Sequence, residues 1–192
     1  MTSPPPCRFC GAPLTHTFLD LGRQPLANSN LTREQLDAGT EQAWPLHARV
    51  CDRCFLVQVD DAVPAEAIFD AEYAYFSSFS ASWVEHARRY AVAMAERFDL
   101  GPESLVVEVA SNDGYLLQHF VAMDIPVLGV EPTANTAEAA RARGVRTEVV
   151  FFNAQTAPEL AARYGRADLM AANNVLAHVP RIGEFAAGFR HM

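Results

Sequence analysis

From Ser104 onward, short apolar runs alternate with stretches whose apolar residues recur every three or four positions. "SLVVEVA" predicts a strand, "GYLLQHFVAMD" a helix, "PVLGVEP" a strand, "TANTAEAARARG" a helix, "RTEVVFF" a strand and "NAQTAPELAARYG" a helix, and "ADLMAANNVLAHV" opens on a further strand. Such alternation implies a parallel sheet with right-handed crossovers and helices on both faces. Ligands of such sheets sit outside the carboxyl ends of the strands. The visible strands are fewer than these sheets commonly hold. The pattern therefore predicts an incomplete sheet whose last edge needs another segment or a partner.

Upstream the texture changes. Trp83, Ala87, Tyr90, Met94 and Phe98 recur at helical spacing and predict a helix from about Ser80 to Phe98, closed by Gly101 and Pro102. Aromatics and serines crowd residues 69 to 83. Nearer the start, "FLDLGRQPLANSNL" carries the punctuation of a loop. "PLHARVCDRCFLVQVDD" reads as a strand, a turn and a second strand in which Phe55, Val57 and Val59 alternate. The expected organisation is 1–62, 63–103 and 104–192, with the middle region acting as a helical and aromatic connector.

All four cysteines fall in the first region, as Cys7-x-x-Cys10 and Cys51-x-x-Cys54. In a reducing compartment two such pairs read as a tetrahedral zinc site, because each short knuckle turns two thiolates toward one metal. The 40 residues between the pairs, positions 11 to 50, exceed the usual ribbon spacing and imply a looped-out insertion. Two disulfides or four incidental thiols are the alternative. A thioredoxin-type redox pair fits poorly, since no βαβ pattern surrounds either knuckle. The core of this unit would be small, so the metal is expected to supply much of its folding free energy.

Composition narrows the partners. With 192 residues and half of them hydrophobic, a folded protein is expected. A formal charge of −8 and a pI near 5.2 speak against a nucleic-acid footprint and a polybasic membrane surface. A small molecule or a protein is the more natural partner. Apolar runs fall far short of the roughly 18 residues that span a bilayer, and "MTSPPPC" has no signal-peptide character, so the cytoplasm is the expected compartment.

The stretch "LVVEVASNDGYLL" places a turn after a buried strand, but Ala110, Ser111 and Asn112 stand where pyrophosphate-binding turns carry glycine. Gly114 alone offers a close backbone approach, which weakens a nicotinamide or flavin reading. Glu131 ends the next strand, 23 positions after Glu108, where an acid can accept hydrogen bonds from both hydroxyls of a ribose. Glu108 and Asp113 would complement positive charge, as on the sulfonium and ammonium of S-adenosylmethionine. The plainer alternatives are that Glu131 is an exposed acid ahead of a helix that Thr133 caps, and that Glu108 is an ordinary edge acid.

Taken in order, Cys-x-x-Cys-Gly, "LDLGRQPLANSNL", Cys-x-x-Cys, "YAYFSSFSASWVEHA", "VVEVASNDGYLL" and "NNVLAHVP" resemble the sugar C-methyltransferases of deoxysugar biosynthesis. These enzymes contain zinc, use S-adenosylmethionine and methylate C3 or C5 of nucleotide-linked 4-keto-deoxysugars. The resemblance implies an α/β fold: a small N-terminal zinc-binding domain, then an incomplete Rossmann-like class I methyltransferase sheet. It places Cys7, Cys10, Cys51 and Cys54 on structural zinc ligands. Glu108, Ala110, Asn112, Asp113 and Gly114 fall on the cofactor loop and Glu131 on the ribose acid. Asn173 and Asn174 lie beside the cofactor, with Phe151 and Phe152 near the adenine. Tyr73 to Ser78 and His178 fall on regions lining the sugar site.

Removing a proton beside a ketone needs a base and a donor for the developing oxyanion. Tyr73 or Tyr75 is the expected donor to oxygen and His178 a proton relay, against a default in which such aromatics pack and such a histidine caps. The family's Glu-His pair followed by Tyr has no counterpart here, since Glu85-His86 lies within the predicted helix and elsewhere in the motif order. The expectation is a C-terminally truncated member that needs a second chain to complete its fold. A non-catalytic zinc-dependent module binding a nucleotide sugar or a protein is the alternative.

Overall fold

The computed structural model describes residues 3–70 and 73–192. It divides into two units, Met1–Ile68 with Pro180–Gly183, and Phe69–Val179 with Glu184–Met192. The first holds a three-stranded antiparallel sheet in the order β1-β2-β3, from β1 (His16–Pro25), β2 (Ala43–Val50) and β3 (Val57–Val59). Helix α1 (Arg33–Asp37) lies in the β1–β2 connection, capped reciprocally by Thr32 and Gln35, and α2 (Ala65–Ile68) follows β3.

β1 runs through the segment whose punctuation predicts a loop. All ten of its residues are exposed, so no period-two burial marks it. What forms it is the ladder to β2, interrupted by bulges between Thr17 and Leu19 and between Asp20 and Arg23. Gly22, at φ 69°, and the terminal Pro25 sit where a bulged edge strand tolerates them. β3 also departs from expectation. Val57 and Val59 face solvent while Gln58 is buried, and Phe55 lies before the strand at φ 61°. The buried apolar residues are few, with Leu14 packed beside Cys7 and Cys51.

The second unit opens with helix α3 (Ala81–Phe98), as its spacing predicts. Ser80 caps it by accepting the Trp83 amide, and Asp99 ends it in left-handed backbone at φ 51°. Ala87 and Ala91 are buried, with Trp83, Tyr90 and Met94 packed beside them, while Phe98 lies exposed. Strands β4 (Val106–Val109), β5 (Val127–Val130), β6 (Thr147–Glu148) and β7 (Leu169–Ala171) form a parallel sheet in the order β6-β5-β4-β7. Helices α4 (Leu117–Val121), α5 (Ala134–Ala142), α6 (Thr156–Tyr164) and α7 (Ile182–Phe189) accompany it.

The α/β class and parallel sheet thus stand as read. The strand in "RTEVVFF" is shorter than its apolar run, because only Thr147 and Glu148 pair with β5 and Val149 is exposed. Two apolar clusters cover the two faces of the sheet: Val106 belongs to that of α3 and α4, Val107 and Val109 to the other. Alternation along β4 therefore turns Glu108 onto the face of Val106. The chain moves outward from β4 to β5 and β6 and returns on the other side as β7, so the strand order reverses between β4 and β7. In open parallel sheets such a reversal is where ligands bind, at the carboxyl ends of the two strands. No helix of the described residues is long and apolar enough to cross a membrane.

Candidate functional site

Each cysteine pair lies in a tight knuckle, and the two knuckles repeat one hydrogen-bond pattern. The Cys7 amide donates to the Ala12 carbonyl (2.8 Å) and the Gly11 amide to the Cys7 carbonyl (3.0 Å). In the second, the Cys51 amide donates to Leu56 (3.0 Å) and the Phe55 amide to Cys51 (2.9 Å). Phe55 thus takes the left-handed place that Gly11 takes in the first knuckle.

The four sulfurs lie within 4.8 Å of one another, with Cys7 to Cys54 at 3.6 Å and Cys10 to Cys51 at 3.5 Å. Zinc–thiolate bonds of ~2.3 Å in a tetrahedron require sulfurs about 3.8 Å apart, so the cage fits that ion. Burial raises the Cys7 thiol, but the Cys10 amide, the Gln58 side chain and the Phe9 amide outweigh it and bring Cys7 down to about 6. The Leu56 amide lowers Cys54, yet burial and the neighbouring sulfurs push it up to about 12. Thiolates this close need a cation among them to hold all four deprotonated.

Gln58 is the part of this site that the sequence does not advertise. Its Nε2 donates to Cys7 Sγ at 3.2 Å and its Oε1 accepts the Arg8 amide at 2.9 Å. A lone Gln between two valines in a short strand was the only signal. Its inward position answers a sulfur rather than a hydrophobic core.

In the second unit the turn after β4 takes left-handed backbone at Ala110 (φ 57°), Asn112 (φ 50°) and Gly114 (φ 77°). Its amides are engaged within the protein. Those of Ala110 and Ser111 donate to the Val130 carbonyl (2.8 and 3.4 Å), and that of Gly114 to the Ser111 carbonyl (3.1 Å). The Asn112 amide donates to Glu131 Oε2 at 2.7 Å. Glu131 is buried, so it is no exposed acid, and it also accepts the Thr133 amide (3.0 Å) and hydroxyl. The Thr133 side chain makes no capping bond to α5.

Three of the expected cofactor contacts have other work. A Cβ on Gly114 would meet Val145 Cγ2 at 3.0 Å and Ala140 Cβ at 3.2 Å, so its bare face is turned toward protein rather than a ligand. Asn112 Oδ1 accepts the Ser77 amide (2.8 Å) and its Nδ2 donates to the Tyr75 carbonyl (3.0 Å). The Asp113 carboxylate is fully buried, accepts the Ser78 amide (3.3 Å) and hydroxyl, and pairs with Arg143 at 3.2 Å. Arg143 Nη2 in turn donates to Ser78 Oγ at 2.8 Å. These side chains tie residues 75–78 to the turn. Phe152, expected near an adenine, packs edge-on among Phe185 (5.7 Å) and Phe189 (5.2 Å) inside the core, while Phe151 remains half-buried.

Glu108 differs from these. It is 0% exposed, and its Oε2 has no hydrogen-bond partner among the described residues. Asn173 Nδ2, beyond β7, donates to Glu108 Oε1 (3.4 Å) and to the Tyr115 hydroxyl (3.3 Å). Burial drives the Glu108 carboxyl well above the usual range against the hydrogen bonds of Tyr115 and Asn173, and Glu131 and Asp113 add to the rise. Tyr115 was not foreseen; its ring stacks on Trp83 at 5.8 Å. Asn174 is exposed at φ 54°.

The aromatic segment and His178 meet through Phe69, whose ring lies 5.5 Å from Tyr73 and edge-on to His178 at 6.3 Å. Asn135 Nδ2 donates to the Tyr73 carbonyl at 2.8 Å. Burial, then Glu131 and Tyr75, raise the Tyr73 phenol, which makes it a proton donor rather than a base at neutral pH. Tyr75 is half exposed.

Residues 7–69 match the family described as "Putative zinc binding domain", a methyltransferase-associated module. The chain is 36% identical over 182 residues to C-methyltransferase NovU of Streptomyces niveus, a match covering 95% of this chain and 43% of that protein. It is 26% identical over 143 residues to a ubiquinone biosynthesis O-methyltransferase of Rhodopseudomonas palustris (strain BisA53), covering 64% of this chain and 56% of that one. A crystal structure of a SAM-dependent methyltransferase from Anabaena variabilis ATCC 29413 aligns at 18% identity and a TM-score of 0.45, over 54% of this chain and 46% of that one. The chain thus spans under half the length of the C-methyltransferase and just over half that of the O-methyltransferase. Along 95% of its length the chain is thus similar to a C-methyltransferase, and its four-cysteine cage lies within the stretch that matches the zinc-binding domain.

Proposed function

We propose that the crevice at the ends of β4, β5 and β7 binds the adenosyl cofactor of a C-methyltransferase whose substrate is a nucleotide-linked 4-keto-deoxysugar. One observation carries the cofactor reading. The turn keeps the amides of Ala110, Ser111, Asn112 and Gly114 for itself and sets three buried carboxylates, Glu108, Asp113 and Glu131, around it. A pyrophosphate would find few free donors there and, beside them, the acid Glu131. A nucleoside ending in cationic groups finds complementary charge.

Glu131 keeps acceptor capacity beyond its Asn112 and Thr133 bonds, since a carboxylate has about four lone-pair sites, and it is placed to receive ribose hydroxyls. Glu108, rather than Asp113, meets the cofactor's positive end. S-adenosylmethionine supplies the transferable methyl, and the residues of this chain orient it. Tyr73 and Tyr75 donate to substrate oxygen, and His178, held edge-on by Phe69, relays a proton. The similarity to a C-methyltransferase over 95% of this chain supports methyl transfer to carbon, and the order of motifs along the sequence supports the sugar substrate.

The test is calorimetric titration of the zinc-loaded chain with S-adenosylhomocysteine and, in parallel, with NAD. Micromolar binding of the first alone, weakened at least tenfold in Glu131→Gln with the circular dichroism unchanged, is the expected result. Binding of NAD, or no ligand heat from a folded sample, would overturn the reading.

A further inference from the structure

Resting on that reading of the crevice, we propose that cofactor binding expels a proton from Glu108, whose neutral carboxyl in the free protein becomes the counter-charge of the bound cation. The register of β4 forces the side chain inward, onto the face of Val106, where it is wholly removed from water. There one oxygen has no partner among the described residues and the other has a long bond from Asn173, at 3.4 Å. A carboxylate in such a place lacks the hydrogen bonds that would hold its charge.

The groups around it do not help. From the turn come the Tyr115 hydroxyl and Asp113, the latter already paired with Arg143. From the end of β5 comes Glu131, another acid, and from beyond β7 the uncharged Asn173. From α3, Trp83 covers Tyr115 with an apolar ring. Among the described residues no cation figures among these groups, and burial, with the two acids, keeps the proton on well above the ordinary carboxylate range against the hydrogen bonds of Tyr115 and Asn173.

A ligand ammonium or sulfonium placed against Oε2 reverses this balance, because an adjacent opposite charge favours the ionised form. The carboxyl O–H bond breaks, its electron pair stays on the carboxylate, and the proton leaves to the buffer. Affinity then climbs with pH, by about tenfold per pH unit, until the free-state pKa of Glu108 is passed.

Calorimetric titration with S-adenosylhomocysteine at one pH in phosphate, HEPES and Tris reads the proton directly, because the observed heat scales with buffer ionisation enthalpy. The wild-type chain should release about one proton per ligand bound, and Glu108→Gln should bind with none. Infrared difference spectra should show the carbonyl stretch of a protonated carboxyl disappearing on binding in the wild type. If the glutamine variant does not bind, site-specific carbon-13 labelling of the Glu108 carboxyl should shift that band and so assign it. Binding with no buffer dependence and no such band would overturn this proposal while leaving the adenosyl pocket intact. Absence of any binding by a folded, zinc-loaded sample would instead remove the pocket, and this inference with it.

Discussion

Replacing Asp113 by alanine should loosen residues 73–80 before it weakens any ligand. The carboxylate is fully buried and holds the Ser78 amide, the Ser78 hydroxyl and the Arg143 guanidinium. Leaving the Ser78 donors without an acceptor costs ~1–3 kcal/mol. Breaking a buried ion pair by deleting one partner costs ~3–5 kcal/mol. Here the second figure is cut down, because Arg143 is 32% exposed and regains water. A loss of about 3 kcal/mol is the expected total, a large share of the ~5–15 kcal/mol that stabilises a typical domain. Asp113→Asn keeps an acceptor for Ser78 and should lose roughly half as much. Urea denaturation followed by circular dichroism gives the energies, and hydrogen exchange should locate the lost protection in residues 73–80. A double-mutant cycle with Ser78→Ala should return a coupling of about 1–2 kcal/mol. If Asp113→Ala kept its wild-type midpoint and exchange pattern yet lost S-adenosylhomocysteine binding, the carboxylate would face the ligand and the structural assignment would be refuted.

Chelation should strip about one zinc per chain and dissolve the β1–β2–β3 ladder, seen as loss of amide protection there, because structural zinc contributes on the order of 10 kcal/mol to such modules. Gln58→Leu should weaken zinc affinity ~10–100-fold in a chelator competition by removing the bond to Cys7; unchanged affinity would make Gln58 a bystander. Gly114→Ala combines a left-handed backbone at φ 77° with a Cβ at 3.0–3.2 Å from Val145 and Ala140. Strain of ~1–2 kcal/mol plus overpacking of ~1–3 kcal/mol should lower the melting temperature by more than ten degrees or so, and a variant melting like the wild type would contradict the contact. Glu108 has a folded pKa raised above its unfolded one by burial, so the native state binds the extra proton and stability falls as pH rises from the unfolded carboxyl value toward the raised one. Glu108→Gln should flatten that slope and exceed the wild type at neutral pH; a less stable variant at pH 7 would refute the sign.

What the sequence disclosed follows from where a physical signal was strong. Helix α3 was legible because Trp83, Ala87, Tyr90 and Met94 keep the spacing of one buried face. The central strands β4 and β5 were legible as uninterrupted apolar runs. The cysteine cage was legible because spacing alone dictates how two knuckles converge. β1 was hidden because an exposed edge strand leaves no burial pattern, and its Gly22 and Pro25 resemble loop residues. The segment 69–83 was legible as a cluster of aromatics, but not the post that joins it to His178, since Phe69 and His178 are more than a hundred positions apart in sequence.

The residues of the turn show a sharper limit. Asn112 and Asp113 were read as ligand contacts because polar side chains beside a strand end suit that role. In the fold both reach across to Ser77 and Ser78, and Glu131 holds the Asn112 amide. Glycines would leave such a turn's amides free for a phosphate, whereas here the Val130 and Ser111 carbonyls and the Glu131 carboxylate take up the amides, and Asn112 and Asp113 fasten a neighbouring segment. The Asn112 side chain thereby links the turn to Tyr75. A change at position 112 or 113 will consequently disturb the turn after β4 and the aromatic segment together. Sequence showed that this loop is rich in polar side chains, while the buried hydrogen bonds decided which of them are already engaged within the protein.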